Sequence, residues 1–408
     1  MTSAAPDTAR QPAGPGPVRH HAGVDVAGAR RAAAEVGRSV AAPATTLPLA
    51  ECLGAVLAEP LRALVDAPAA DTSAMDGFAV RGPGSWRVRA RVLAGATPSA
   101  PLGDGDAAEV ATGAVVPAGT ERVLPAEDVD ADGGRVAVRG ALPARRHVRA
   151  RGEQVTAGTV LLPAGHRVAP ATLGLAASAG ADALTVRTPT RVAVLLTGDE
   201  VVTHGVPAPG EVRDAVGPSL PGLVAHLGGR LVHRSRSDDA VEQLHPALES
   251  LLAVEADVVM TCGMAGAGPA DHLRPWLRRV GARLVVDGVA VRPGHPMLLA
   301  VLPDGRPLVG LPGNPLAAVA ALLVLLGPLL AGATGRAPAT GPRASLAGEV
   351  PSGRPVTALV PVRWAGAPGV VEPAGPAGPA QLWGLACADA VAVVPSGGSD
   401  DVELLLLP

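Results

Sequence analysis

The residues best suited to chemistry lie in three short loops. Thr197-Gly198-Asp199-Glu200 joins a hydroxyl and two acids to a glycine that lets backbone come close to a ligand. Its acids can hold a hard cation through oxygen, although the same residues also suit a helix cap or a solvated turn. Thr261-Cys262-Gly263-Met264-Ala265-Gly266-Ala267-Gly268, followed by Asp271, is a run of small residues just before an expected helix. Exposed backbone N–H groups at such a place suit a phosphate, and a flexible Gly-rich turn is the competing reading. In Gly310-Leu311-Pro312-Gly313-Asn314-Pro315, Asn314 sits as an N-cap and Pro315 as the first helical residue. Capping explains both, yet Asn314 is the only asparagine in the chain. Lysine, isoleucine and tyrosine are absent and Phe78 is the single phenylalanine. These scarce types share AT-rich codons, so a GC-rich genome accounts for them, and that drift was resisted at position 314.

A fourth element lies far upstream. Asp71-Thr72-Ser73-Ala74-Met75-Asp76-Gly77-Phe78-Ala79-Val80 combines hydroxyls, acids and the phenylalanine, but alone it reads as an acidic turn before a strand. Ala111-Thr112-Gly113-Ala114 with Pro117, and Arg149, Gly152 and Glu153, are equally mute in isolation. The absence of lysine excludes Schiff-base chemistry and a standard Walker A loop.

The elements that must position these loops follow from periodicity. After roughly 22 residues read as a disordered tail, whose His20 and His21 are set aside as inert, VDVAGARRAAAEVGRSV has the spacing of an amphipathic helix. LPLAECLGAVLAEPLRA is expected to form a second helix ending near Pro60. From Asp66 to about Gly140, short valine-rich runs broken by Gly and Pro mark an all-β segment. Strand and turn then lead to a small-residue helix, PATLGLAASAG. From Arg191 onward apolar strands alternate with helices: RVAVLLTGDE, GPSLPGLVAHLGG, ADVVMTCGMAGAG, ADHLRPWLRRVG, RPLVGLPGNP and PLAAVAALLVLLGPLL. That alternation means a doubly wound parallel sheet, with all three loops at the carboxyl ends of strands, where such sheets bind ligands. Short strands resume from about Ala337. The expected division is a tail over 1–22, a helical and β domain from 23–50 with 141–188, an inserted β-rich domain over 51–140, an α/β domain over 189–336 and a small β domain over 337–408.

Composition narrows the function. Hydrophobic residues make up 48% and charged residues 17% of 408, ample for several cores. A net charge of −3 without a basic run argues against nucleic acid. Cys52, Cys262 and Cys387 are too far apart in sequence for a disulfide framework or zinc knuckle, and a reducing cytoplasm is the natural compartment. No secretion signal is readable at the N-terminus. The apolar run from Leu316 to Ala333 is long enough to span a membrane, but Pro315, Gly327 and Pro328 interrupt it, and a buried helix against the sheet is the better reading.

Read in order, SAMDGFAV, ATGAVVPAG, RARGEQV, LLTGDEVV, GVAVRPGHPM and GLPGNPLAA resemble the MoeA/gephyrin family of molybdopterin molybdenumtransferases, from about Val24 to the C-terminus. SAMDG and GLPGNP are specific signals; TGDE is shared with molybdopterin adenylyltransferases. The resemblance implies an elongated homodimer of four-domain subunits, its active site between the sheet domain of one subunit and the upstream domains of the other. It implies insertion of molybdate into adenylylated molybdopterin with release of AMP and assistance from Mg²⁺. A molybdopterin adenylyltransferase and apo-molybdoenzymes would be partners; nucleic acid and membrane would not. The positions matching the family's site are Asp76, Thr112, Asp199, Glu200, Asp271, Arg292, Pro312 and Pro315. Asp199, Glu200 and Asp271 would hold the cation, with Asp76 completing the catalytic acids. Thr112, Gly198, Gly263, Gly266, Gly268, Arg292, His295, Pro312, Gly313, Asn314 and Pro315 would bind the pterin phosphate or molybdate.

The chain also departs from that pattern. Gln154 stands where an acid follows GE, TSGGxSxGDYD reads TCGMAGAGPAD, KPGKP reads RPGHP, DSN reads Asp214-Ala215-Val216, and a C-terminal serine appears as Pro379. Codon drift explains Arg292 but not Gln154, Val216, Pro269 or His295. Two alternatives to an active insertion enzyme therefore stay open: a catalytically silent paralogue that binds molybdopterin or a partner enzyme, and an adenylyltransferase, which would leave SAMDG without a role.

Overall fold

The computed structural model describes residues 23–408 except 42, 143, 267–271, 338–340, 349, 351–355 and 377. The expected N-terminal tail, Gly268, Pro269 and Asp271 lie outside the described residues. The chain forms two compact units, one built from residues 43–188 and the other from the N-terminal helix with residues 189–408.

In the larger unit, helix α1 spans Val26–Ser39, and the side chain of Asp25 caps it by accepting from the Gly28 amide at 2.6 Å. Strand β1 (Thr190–Thr197), helix α2 (Leu220–Leu227), strand β2 (Gly229–Ser237), helix α3 (Val241–Ala253), strand β3 (Val258–Cys262) and helix α4 (Leu273–Arg279) follow. Then come β4 (Arg283–Asp287), β5 (Leu298–Val301), β6 (Pro307–Leu311) and a long helix α5 (Pro315–Thr334). The sheet order is β2-β1-β3-β6-β5-β4. The first four strands are mutually parallel, while β5 and β4 add an antiparallel edge. The fold is thus α/β as expected, and the sheet is mixed at one margin.

Alternation along β1 explains the double winding. Val192, Val194 and Leu196 enter one core with α1, α2 and α5, while Ala193 and Leu195 enter a second core with Leu244, Leu248, Leu273 and Trp276 from α3 and α4. A strand buried on both faces must be apolar throughout, which is why RVAVLLT reads as a continuous run. Strand β2 and helix α3 escaped the periodicity argument. The strand is an edge strand whose text, GRLVHRSRS, alternates apolar with charged residues, as a half-exposed edge allows.

Helix α5 is the apolar run that raised the membrane question; 94% of its most apolar stretch is buried inside the protein. Leu322, Leu325, Leu326, Leu329 and Leu330 are fully buried, each contributing roughly 1.5–3 kcal/mol. The helix widens to a π turn over Leu322–Leu326, where the Gly327 amide reaches back to the Leu322 carbonyl. Pro328, which follows, has no N–H and would crowd the carbonyl four residues earlier, and the wider turn relieves that conflict. Helix α1 crosses α5 at glycines. A Cβ at Gly37 would strike the Leu329 carbonyl oxygen, and one at Gly332 would strike that of Ala34. This packing places α1 with the sheet unit, whereas the sequence grouping set residues 23–50 beside 141–188.

The C-terminal strands Arg343–Leu346, Thr357–Trp364, Val370–Pro373, Ala390–Val394 and Asp401–Leu406 close on themselves as a small barrel, with Val291–Arg292 added along one strand. Arg30 of α1 pairs with Glu403 of the barrel at 2.5 Å.

The smaller unit carries a six-stranded sheet over Gly77–Val80, Trp86–Val92, Asp106–Val110, Arg122–Pro125, Val129–Asp132 and Arg135–Val138, as the valine-rich runs implied. The helix expected to end near Pro60 does not form. Thr45–Pro48, Val56–Leu57 and Leu61–Arg62 are short strands around a single 3₁₀ turn at Leu49–Glu51. Gly54 adopts a φ of +80°, and the amides of Leu57 and Ala58 bond the carbonyls of His166 and Thr185. Pairing with distant strands outweighed local helix propensity.

Candidate functional site

The carboxyl ends of β1, β3 and β6 come together at their loop roots. Thr197 closes β1, and its hydroxyl donates to the Cys262 carbonyl at 3.3 Å. Gly263 has a φ of +119°, its amide donates to the Leu311 carbonyl at 3.2 Å, and a Cβ there would collide with Thr197 Oγ1. A Cβ at Gly313 would lie 3.5 Å from the Gly263 Cα, and Cys262 Sγ donates to the Pro312 carbonyl at 3.5 Å. Glycine is therefore required at 263 by the close approach of the first loop to the second. Gly198 is required too, because its φ is +133° and a Cβ would sit 2.7 Å from Val201. Burial pushes the Cys262 thiol up to about 12, so it is a packing group, not a nucleophile.

Asp199 and Glu200 are exposed beyond this junction. A fourth strand contributes a carboxylate that the sequence reading missed. Asp239, just past the end of β2, donates its amide to Asp199 Oδ1 at 2.8 Å, and the Asp199 amide faces Asp239 Oδ2 at 3.4 Å. Burial raises the Asp239 carboxyl above the ordinary carboxylate value, and the charges of Asp199 and Glu200 add to that rise, against the hydrogen bond from the Asp199 amide. The available signal was Ser237-Asp238-Asp239 at a strand end, hidden because the strand itself was not recognised.

Among the described residues no three His, Cys, Asp or Glu side chains are grouped to enclose a metal ion. Asp271, the third expected ligand, lies outside them. The donor chemistry nevertheless fits Mg²⁺, which takes one or two carboxylates and completes its shell with water and substrate phosphate. Asp199 and Glu200 are exposed carboxylates of that kind, beside Asp239.

Arg292 ends the short strand Val291–Arg292, and His295 sits in the loop from it to β5. The Arg292 guanidinium is exposed and makes no hydrogen bond or ion pair among the described residues. His295 Nδ1 donates to the Val289 carbonyl at 2.7 Å, which orients the ring. Gly294 has a φ of +107°, and a Cβ there would lie 3.3 Å from Ala320 of α5. This loop thus leans on the helix that follows the third loop. Arg274 links it to the second loop as well: its guanidinium donates to the carbonyls of Ala265 (2.6 Å), Gly266 (2.7 Å) and Pro296 (3.3 Å) and pairs with Asp287 at 2.6 Å. Nothing in HLRPWLRR marks Arg274 out among its neighbouring arginines.

Asn314 occupies the N-cap position of α5 and Pro315 its first turn, but the Asn314 side chain makes no capping bond and is exposed. The capping explanation therefore covers its backbone and not its amide. The Leu316 amide, an N-terminal donor of the helix, is taken by the Pro379 carbonyl at 3.0 Å. Val216 is 7% exposed and packs in the core with Leu196 and Leu220. Asp214 accepts from the Gly217 amide at 2.8 Å and pairs with Arg236 at 3.3 Å.

In the smaller unit, Asp76 and Thr112 meet. Asp76 Oδ1 accepts from the Thr112 amide at 2.7 Å and from its hydroxyl at 3.0 Å. These bonds, the amide first, hold the Asp76 carboxyl below the ordinary range. The arrangement rests on pairing of Ser73 with residues 113–114 and of Thr72–Ser73 with Val148–Arg149. The Glu153 carboxylate caps its own turn by accepting from the Ala150 amide, and Gln154 is exposed.

Comparison with known proteins agrees with this fold. Residues 24–180 match the family described as MoeA N-terminal region (domain I and II), and residues 193–332 match that described as probable molybdopterin binding domain. The chain is 34% identical to a molybdopterin molybdenumtransferase of Synechococcus elongatus over 300 residues, covering 70% of this chain and 74% of the relative. It is also 34% identical to a molybdopterin molybdenumtransferase 2 of Mycobacterium tuberculosis, covering 71% and 75%. A solved molybdopterin biosynthesis MoeA protein from Pyrococcus horikoshii superposes with a TM-score of 0.74 at 28% identity, covering 92% of this chain and 98% of that one.

Proposed function

Because the chain belongs to the MoeA family of molybdopterin molybdenumtransferases, enzymes of molybdenum cofactor biosynthesis, we propose that it inserts molybdate into adenylylated molybdopterin in the cytoplasm and releases AMP. The observation that carries this reading is the meeting of Thr197, Gly263 and Gly313 at three parallel strand ends, with Asp199 and Asp239 in reciprocal contact beside them. An anionic pterin phosphate needs an exposed backbone amide and a guanidinium; Gly313 lies exposed at the third loop, and the exposed Arg292 has no side-chain partner among the described residues. Asp199 and Glu200, with Asp271 as the expected third ligand, would hold Mg²⁺, and the ion when bound would neutralise charge developing on the cleaved phosphate. Asp199 also orients the Asp239 backbone, and the Asn314 side-chain amide, exposed and without a hydrogen bond among the described residues, can bond substrate. Asp76, kept ionised by Thr112, is the proposed acid of the upstream unit. A homodimer is part of the same proposal, as are docking of an adenylyltransferase and of apo-molybdoenzymes.

The deciding experiment incubates purified protein with adenylylated molybdopterin, molybdate and Mg²⁺ and follows AMP. Release that stops on chelation and in Asp199→Asn supports the reading; no release under any of these conditions removes it. A second reading, a silent paralogue that binds molybdopterin without turning it over, is favoured by the Pro379 carbonyl occupying the Leu316 amide at the helix start. Tight pterin binding without AMP release would select it. Light scattering reports the dimer, and a monomeric mass would refute that element.

A further inference from the structure

We propose that Arg274 is a positioning residue that sets the distance between the second loop and the loop carrying Arg292 and His295, and thereby governs substrate affinity. This rests on the reading above for what the two loops hold. The geometry stands by itself. One guanidinium spends its donors on two consecutive carbonyls of the second loop, Ala265 and Gly266, and on Pro296 in the other loop, while Asp287 takes Nε–H. The side chain is 22% exposed, so these bonds are shielded from competing water.

Each loop has an anchor that does not involve Arg274. The second is pinned by the Gly263 amide on Leu311, and the other by the His295 carbonyl accepting from the Val289 amide and by the Met297 amide on Gly294. Among the described residues, Arg274 bonds both loops directly. A planar fork of five donors can satisfy three carbonyls and a carboxylate at fixed angles. Lysine, with three donors on one nitrogen, cannot span the same set. Loss of the fork leaves the charge and both loops intact but frees their separation. Ligand groups that must touch both loops then pay an ordering cost on binding, which appears in KM and not in the chemical step.

The test uses the full chain carrying Arg274→Lys, with Asp287→Asn as the milder variant that keeps all three carbonyl bonds possible. Hydrogen exchange without ligand should quicken at residues 263–266 and 294–297 in Arg274→Lys and stay unchanged across Val192–Leu196. Turnover of adenylylated molybdopterin should show KM raised about tenfold with kcat unchanged, given that small misplacements of substrate-holding groups cost up to ~100-fold. Asp287→Asn should raise KM by less than Arg274→Lys does. Unchanged exchange in both loops, or a fall in kcat with KM constant, overturns the proposal. If the unaltered protein releases no AMP, the functional reading has failed, and the exchange measurement still decides whether Arg274 holds the loops together. If Arg274→Lys does not fold, quickened exchange of both loops in Asp287→Asn supports the clamp and its absence overturns it.

Discussion

Asp76 accepts both the amide and the hydroxyl of Thr112 on a single carboxylate oxygen, at 2.7 and 3.0 Å, although 36 residues separate them. Two donors on one oxygen favour the charged form, so the carboxyl sits below the ordinary value of 3.8. Thr112→Ala keeps the amide and loses the hydroxyl, and a carbon-detected NMR titration should find the Asp76 pKa moved part of the way back up. Asp76→Asn should lower kcat/KM for AMP release on the order of 10²-fold, the scale of losing one positioned charged group, with thermal unfolding unchanged. An unaltered rate would take Asp76 out of the site.

Asn314 separates capping from function. A side-chain N-cap is worth about 1 kcal/mol, and Asn314 makes no such bond. Asn314→Ala should therefore leave the melting temperature where it was and cut AMP release at least about tenfold, as expected for a lost hydrogen bond to an ionised substrate group. A lower melting temperature with normal turnover would return Asn314 to a structural role.

The crossing of α1 over α5 depends on two glycines. Gly332→Ala forces a methyl against the Ala34 carbonyl, and Gly37→Ala forces one against that of Leu329. Each should cost about 1–3 kcal/mol by overpacking. Gly222→Ala in α2, where a Cβ meets nothing within 4 Å, should instead stabilise by up to about 1 kcal/mol. Urea midpoints check all three, and equal shifts of one sign would refute the packing account.

Acid should unfold the sheet unit partly through Asp257. Burial alone would raise this carboxyl, but hydrogen bonds from the Arg191 guanidinium and amide hold it below its ordinary value of 3.8. A folded pKa below the unfolded one means that stability is fully present above pH 3.8 and is lost as pH falls through the folded value. The urea midpoint should be flat near neutrality and fall below about pH 4. Asp257→Asn should lower it at pH 7 and flatten the acid dependence; an unchanged acid limb would assign the loss to other carboxylates.

The sequence by itself determined the strands that carry the site, and it did so because they are buried on both faces. RVAVLLT, VVMTC and PLVGL can only be central strands of a covered sheet, and the loops that follow them had to share one edge. It also named Asp76, Thr112, Asp199 and Arg292 as candidates, since motif order carries that information without geometry. Tertiary structure alone decided the rest. Whether LPLAECLGAVLAEPLRA becomes helix or strand depended on partners near His166 and Thr185, more than 100 residues away in sequence. That Asp239 faces Asp199 depended on an edge strand whose half-exposed pattern resembles surface text. That Arg274 reaches two loops, and that Asn314 caps nothing with its amide, are facts of side-chain direction. Periodicity reports which face a residue occupies, whereas hydrogen bonds are decided by ångströms between segments far apart along the chain.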